Sequence, residues 1–142
     1  MSNLARKGIL AAATDRRTRA FMNRYGMRLG AARFVAGETL DQCLDVLADL
    51  SAKGLYANTT LLGEDVESRA ETETVVAEFR TVLDRIDERG VHANLAVKLT
   101  HLGLLIDEEL AFENVAQLVD HAAKRGNFVR IDMEHSSVVD AT

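Results

Sequence analysis

Two charged residues beside apolar runs are the part of this sequence best suited to chemistry. Lys98 interrupts an apolar run that extends from Leu95 to Leu99, and Asp132 follows a second strand-like run. A lysine in sequence that otherwise indicates protein core is costly to desolvate unless an anion meets it. Lys98 therefore either serves an internal carboxylate or binds an anionic ligand. Asp132 can pair with this lysine, or it can help to position a cofactor.

A repeat in the chain sets where these residues lie. Gly54, Gly90 and Gly126 are spaced 36 residues apart, and each follows Lys or Arg. A strand-like run follows each glycine, over residues 55–62, 91–100 and 127–133. Strand, helix, glycine and strand form the βα unit, whose strands are parallel. The sequence predicts an α/β fold with three parallel strands, and the repeat by itself leaves a barrel and a doubly wound sheet both open.

Helices are predicted before and between the strands. A loosely amphipathic basic helix is indicated over residues 4–28, and capping residues mark the start of three others: Thr39 with Gln42, Ser68 with Glu71, and Asp107. The predicted buried positions are Leu40, Leu44, Val46, Leu47 and Leu50 in the first of the three, Val75, Val76, Phe79, Val82, Leu83 and Ile86 in the second, and Leu110, Val115, Leu118, Val119 and Ala122 in the third.

The repeat glycines also align the strand ends. Thr60 lies six residues after Gly54, Asp132 six after Gly126, and Lys98 eight after Gly90. We therefore expect Thr60, Lys98 and Asp132 near the carboxyl ends of neighbouring parallel strands, where α/β folds bind their ligands. The functional interpretation is a ligand site. The structural alternative is a Lys98–Asp132 ion pair that closes this end of the sheet.

Composition narrows the class of protein. The charged share of 27% and hydrophobic share of 47% are those of a globular domain. Cys43 is the single cysteine, which fits a reducing, cytoplasmic location. The four histidines, His92, His101, His121 and His135, lack metal-ligand spacing, so no metal site is predicted.

The N-terminal segment is strongly basic, since residues 1–33 carry eight basic residues and one acidic residue. Nucleic-acid binding is disfavoured because aromatic residues are not interleaved with these basic residues. The favoured interpretation is a solvated helix face that packs against the rest of the chain. A mitochondrial transit peptide is a further alternative.

Four segments, in order, resemble monofunctional bacterial proline dehydrogenase. They are RFVAGE at residues 33–38, LLGE at 61–64, VKLTHLGL at 97–104 and VRIDME at 129–134. The resemblance implies a distorted (βα)8 barrel that holds FAD, oxidises L-proline to 1-pyrroline-5-carboxylate and passes electrons to a membrane quinone. It further implies that Lys98 pairs with the substrate carboxylate, that Asp132 is the catalytic aspartate beside the flavin, and that Met133 contacts the flavin through its backbone.

The sequence departs from this family pattern at two positions. Thr60 stands where the family commonly has aspartate, and His101 replaces a usual glutamine. Each departure is expected to alter the polar lining of the pocket.

Three βα strands cannot close an eight-stranded barrel. We therefore expect an incomplete barrel, with a basic helical arm and connector over residues 1–38 and a partial (βα)8 domain over residues 39–142. The family's arginine pair and flavin-phosphate contacts belong to later strands, so the chain alone is expected to bind FAD poorly. The alternatives are a non-catalytic remnant that acts as an oligomerising or binding module, and a half-barrel that self-associates or pairs with a missing C-terminal half. Quinone reduction would place the protein at the inner membrane surface.

Overall fold

The computed structural model describes Asp15, Thr18, Tyr25, residues 35–64 and residues 66–142. Apart from those first three residues, the basic helix predicted over residues 4–28 lies outside the described residues. The chain divides into two compact units, Met1–Cys43 and Leu44–Thr142. The sheet and its strand ends belong to the second unit.

The described elements alternate between helix and strand. Strands β1, β2 and β3 pair in that order in one parallel three-stranded sheet, with Ala57 opposite Ala93 and Leu95 opposite Val129. In chain order the elements are α1 (Leu40–Ala52), β1 (Ala57–Thr59), α2 (Arg69–Arg89), β2 (Ala93–Val97), a 3-10 helix (Thr100–Leu102), α3 (Glu108–Ala123), β3 (Val129–Ile131) and a second 3-10 helix (Val139–Ala141). The predicted α/β class and parallel strands are confirmed.

The predicted capping residues begin the helices. The Thr39 hydroxyl accepts from the Gln42 N–H at 3.3 Å, within the first unit. In the second unit the side chains of Ser68 and Asp107 accept from N–H groups in the first turns of α2 and α3. Gly90 ends α2 with a φ of 60°, a left-handed conformation that glycine adopts without the steric cost of a Cβ. Local sequence therefore determines where these helices start and where α2 stops.

The core lies between the helices and the central strand β2. All six apolar positions predicted for α2 are buried, and Leu95, Ala96 and Val97 of β2 are almost completely inaccessible to solvent. Burial of both faces of β2 is usual for a parallel strand covered by crossover helices.

Two predicted core positions are wrong. Val46 is 39% exposed and Val119 is 45% exposed, whereas their neighbours Leu47 and Leu118 are buried. Consecutive helical residues point about 100° apart, and in α1 and α3 the core covers the direction of Leu47 and Leu118 but not that of the residue beside each of them. The observed strands are also shorter than the predicted runs, and β2 ends at Val97 because the chain then turns into the 3-10 helix Thr100–Leu102.

Candidate functional site

The three strand-end residues lie where the repeat predicted. Thr60 directly follows β1, Lys98 follows β2 and Asp132 follows β3. Val97 is opposite Ile131, and the Asp132 N–H donates to the Val97 carbonyl at 2.9 Å. Lys98 and Asp132 therefore occupy adjacent register positions on neighbouring strands, at the carboxyl edge of the sheet.

Lys98 is paired with a carboxylate that the sequence reasoning did not assign to it. Its Nζ lies 2.6 Å from Glu64 Oε2, and the two side chains are 37% and 56% exposed. This hydrogen bond raises the pKa of Lys98, and the charges of Glu64, Glu134 and Asp132 add to the effect while burial opposes it. The same hydrogen bond is the main cause that lowers the pKa of Glu64. The alternative in which a Lys98–Asp132 ion pair closes the sheet is wrong, because the partner of the ammonium is Glu64.

Glu64 reaches the lysine from the loop that follows β1. Its position four residues beyond Thr60 was a usable signal, because loops after neighbouring parallel strands meet at the same edge of the sheet. The structure brings Thr60, Glu64, Lys98 and Asp132 to one edge, with Glu64 in contact with Lys98.

Glu134 is a second carboxylate that reaches the neighbouring strand end. It accepts from the Thr100 N–H at 3.0 Å and from the Thr100 hydroxyl at 2.5 Å. Glu134 therefore joins the segment after β3 to the turn after β2.

His101 is buried beneath the same edge. Its imidazole is edge-on to the Phe79 ring, with centroids 5.8 Å apart, and only 8% of the residue is exposed. Gly63 lies against this ring, since a Cβ built on the glycine would be 2.5 Å from two imidazole atoms. Burial lowers the pKa of His101; the charge of Glu78 opposes this. The imidazole thus supports the Gly63-Glu64 loop.

The end of β3 also presents apolar surface. Ile131 is 48% exposed and Met133 is 67% exposed, on either side of the partly buried Asp132. Thr60 is exposed, and its hydroxyl donates to the Leu61 carbonyl at 3.2 Å. The edge therefore combines one cation, several carboxylates and an apolar rim.

A cavity of about 270 Å³ lies at the opposite end of the sheet. Its lining includes Tyr56, His92, Asn94, Asn127 and Phe128, which stand at or before the amino ends of the strands. Ligands of parallel sheets bind at the carboxyl ends instead, so we take Lys98 and Asp132, and not this cavity, as the candidate site.

Within residues 35–64 and 66–142, no group of three His, Cys, Asp or Glu side chains is arranged to hold a metal ion. None of the helices in the described part of the chain has both the length and the apolar character that crossing a bilayer requires.

Comparison with known proteins gives relatives along most of the chain. It is 36% identical to proline dehydrogenase 1 of Bacillus subtilis strain 168 over 122 residues, which are 86% of this chain and 40% of that protein. It is 30% identical to proline dehydrogenase 2 of the same strain over 114 residues, 78% of this chain and 36% of the relative. The proline dehydrogenase of Deinococcus radiodurans is 29% identical over 115 residues, 79% of this chain and 37% of the relative.

These matches cover most of the chain but only a part of each relative. The chain spans about two fifths of the length of the curated relatives that it matches. No family model matches it. The resemblance that the four sequence segments indicated is confirmed by these relatives.

Proposed function

On the premise that this chain is a homologue of part of the bacterial proline dehydrogenases, we propose that it serves in the oxidation of L-proline to 1-pyrroline-5-carboxylate. The observation that carries the proposal is the placement of Lys98 and Asp132 at adjacent register positions on the carboxyl edge of a parallel sheet. This is the edge where α/β proteins bind their substrates, and a fixed cation there suits the carboxylate of a zwitterionic amino acid.

Lys98 is the residue that would bind the substrate carboxylate. Its ammonium is partly exposed and already holds one carboxylate, that of Glu64, at 2.6 Å. The carboxylate of L-proline would either share the ammonium with Glu64 or displace it. A lysine ammonium has three donor hydrogens, so sharing is chemically possible. In either arrangement the substrate is anchored by its carboxylate, and its ring lies along the edge of the sheet.

Asp132 would act beside the reacting ring. In the proposed reaction, proline loses a proton from nitrogen and a hydride from the adjacent ring carbon that does not bear the carboxylate, and a double bond forms between these two atoms. Fixed positions of the substrate carboxylate and ring favour such a transfer because the reacting atoms start close together. The Asp132 N–H donates to the Val97 carbonyl, so Asp132 leaves its strand at the register position next to that of Lys98, which supports this role.

FAD is the cofactor that this reaction would use. The exposed Ile131 and Met133 provide apolar surface for a flat ring, and Asp132 is the polar residue between them in the chain. The described residues at this edge fit the ring end of a flavin, with Met133 as the proposed contact. We assign none of them to its phosphates. When bound, the flavin accepts the two electrons that proline loses.

We extend the proposal to the architecture and the electron acceptor. The three parallel strands would form part of a (βα)8 barrel, since β1 and β2 are each followed by an α-helix that returns the chain to a parallel neighbouring strand. Electrons would pass from the flavin to a quinone, which would require contact with the inner membrane from its cytoplasmic side.

The test is an absorption spectrum of the purified 142-residue chain with added FAD, before and after L-proline. Retained flavin whose visible band is bleached by L-proline, and not by pyrrolidine, supports the proposal, because pyrrolidine lacks the carboxylate that Lys98 would bind. Flavin that the chain retains but that L-proline does not bleach contradicts it. In that outcome a defined oligomer on a sizing column would favour the non-catalytic binding module instead.

A further inference from the structure

Thr100 occupies an unusual position among the described helix starts. It is the first residue of the 3-10 helix that follows β2, and it is completely buried. The residue before it, Leu99, has no side chain that could cap the helix. A buried N–H or hydroxyl without a partner is costly, so these donors of Thr100 need an acceptor from elsewhere.

Glu134 supplies that acceptor from the next strand. One carboxylate oxygen accepts from the Thr100 N–H at 3.0 Å and the other accepts from the Thr100 hydroxyl at 2.5 Å. Hydrogen bonds to a carboxylate are shorter and stronger than those between neutral groups. The two residues are 34 positions apart in the chain, so the contact joins two separate βα units.

The other caps in the second unit are local. Ser68 caps α2 and Asp107 caps α3 from within their own segments, and each stabilises one helix. A cap that comes from a neighbouring strand does more, because it also fixes the ends of two strands relative to each other. Lys98 precedes Thr100 by two residues, and Asp132 precedes Glu134 by two. The contact thus lies two residues beyond each of the two candidate site residues.

We propose that Glu134 is a positioning residue for the candidate site. Its two-oxygen contact with Thr100 holds the turn that carries Lys98 against the strand end that carries Asp132. The expected effect of Glu134 on L-proline rests on the proposed function. The hydrogen bonds between Glu134 and Thr100 are present in the fold whether or not that function is correct. Glu134 acts through Lys98 and Asp132; it does not itself touch the substrate.

Two substitutions distinguish a positioning role of Glu134 from a role of its charge alone and from a role as a structural cap. Glu134→Gln keeps the length of the side chain and removes its charge, whereas Glu134→Asp keeps the charge and shortens the reach, so that it cannot hold both donors of Thr100. Glu88→Gln is the matched control, since Glu88 is an exposed carboxylate paired with Arg85 at the far end of α2. All variants are made in the full 142-residue chain.

Two measurements are made on each variant. The first is the half-saturating concentration of L-proline in the flavin-loaded chain. The second is the NMR signal of the Lys98 side chain together with the cross-strand contacts between Lys98 and Asp132. Positioning predicts that both Glu134 variants raise the half-saturating concentration about 10- to 100-fold, the cost typical of a small misplacement in a site. It also predicts that both shift the Lys98 signals, whereas the control changes neither measurement.

Two results for the folded variants would overturn the inference. If only Glu134→Gln has an effect, the role is one of charge; if neither variant alters Lys98 or L-proline, Glu134 is a structural cap. If the unmodified chain does not respond to L-proline, the proposed function fails. The positioning role is then tested by the NMR measurement alone, which shows whether the Glu134 variants change the contacts between Lys98 and Asp132. Should a Glu134 variant not fold, Thr100→Val removes only the hydroxyl half of the contact and must shift the Lys98 signals in the same direction.

Discussion

The Lys98 ammonium lies 2.6 Å from the Glu64 carboxylate, so the cation that this edge offers to a ligand is already held by an anion from the loop after the neighbouring strand. An exposed pair of this kind adds little to folding stability, because water screens both charges. Its main consequence is for binding, since an incoming carboxylate must meet Lys98 in the presence of Glu64.

Replacing Lys98 separates binding from folding. Lys98→Met is expected to abolish the response to L-proline, because the only cation proposed to hold the substrate carboxylate is removed. The melting temperature should change little, since the ammonium is partly exposed. Circular dichroism and calorimetric titration with L-proline measure the two effects. Lys53→Met, an exposed lysine after α1, is the control and should behave as the unmodified chain. A large loss of stability with unchanged L-proline binding would show that Lys98 is structural.

Replacing Glu64 should favour carboxylate ligands. Glu64→Gln removes the largest cause that raises the pKa of Lys98, so that pKa falls toward its ordinary value. We expect L-proline to bind about twofold to fivefold more tightly at neutral pH, the range typical of an exposed ion pair.

The pH dependence of this effect has a definite sign. The pKa of Glu64 is lowered below 4.5, so the competing carboxylate is present above that pH and is lost as the pH falls through its lowered value. The advantage of Glu64→Gln should therefore disappear in acid. Weaker binding of L-proline by the variant at neutral pH would instead mean that Glu64 assists the substrate.

Gly63 is expected to tolerate no side chain. A Cβ at this position would lie 2.5 Å from the buried His101 ring, and the ring cannot move away freely because it packs on Phe79. Gly63→Ala should lower the free energy of unfolding by about 1–3 kcal/mol, the usual cost of overpacking. Urea denaturation measures the change. The same alanine in a His101→Ala background should cost much less, and an equal cost in both backgrounds would contradict the contact.

His101 should make stability depend on pH. Burial lowers its pKa below 6.5, with the charges of Glu78, Glu134 and Glu64 opposing this effect and that of Lys98 adding to it. The unfolded chain then binds a proton more readily than the folded chain, so stability is full above pH 6.5 and is lost as the pH falls toward the lowered value. Urea denaturation from about pH 5 to pH 8 measures this dependence.

The matching variant is His101→Gln, which cannot take up a proton. It should flatten the part of the dependence that lies just below pH 6.5. His92→Gln, which replaces an exposed histidine at the other end of the sheet, is the control and should retain the dependence. If the free energy of unfolding of His101→Gln varies with pH as it does in the unmodified chain, another titratable group causes the loss of stability in acid.

Local sequence alone determined the elements of this fold. Capping residues such as Ser68 and Asp107 begin helices where the pattern predicted, because each cap is made by residues within one turn. The repeat spacing placed Thr60, Lys98 and Asp132 at the strand ends correctly, since parallel strands linked by helices must bring their carboxyl ends to one edge.

Only the tertiary structure decided which side chains meet at that edge. Lys98 pairs with Glu64, and Glu134 bonds to Thr100, each across 34 positions of the chain. Neither partner could be read from periodicity, because the choice depends on the path of the loops after the strands and on the reach of individual side chains. The contact between Gly63 and the buried His101 ring likewise depends on the path of the loop after β1, so the sequence pattern did not predict it. Secondary structure follows local pattern, whereas the pairing of charges depends on three-dimensional distance.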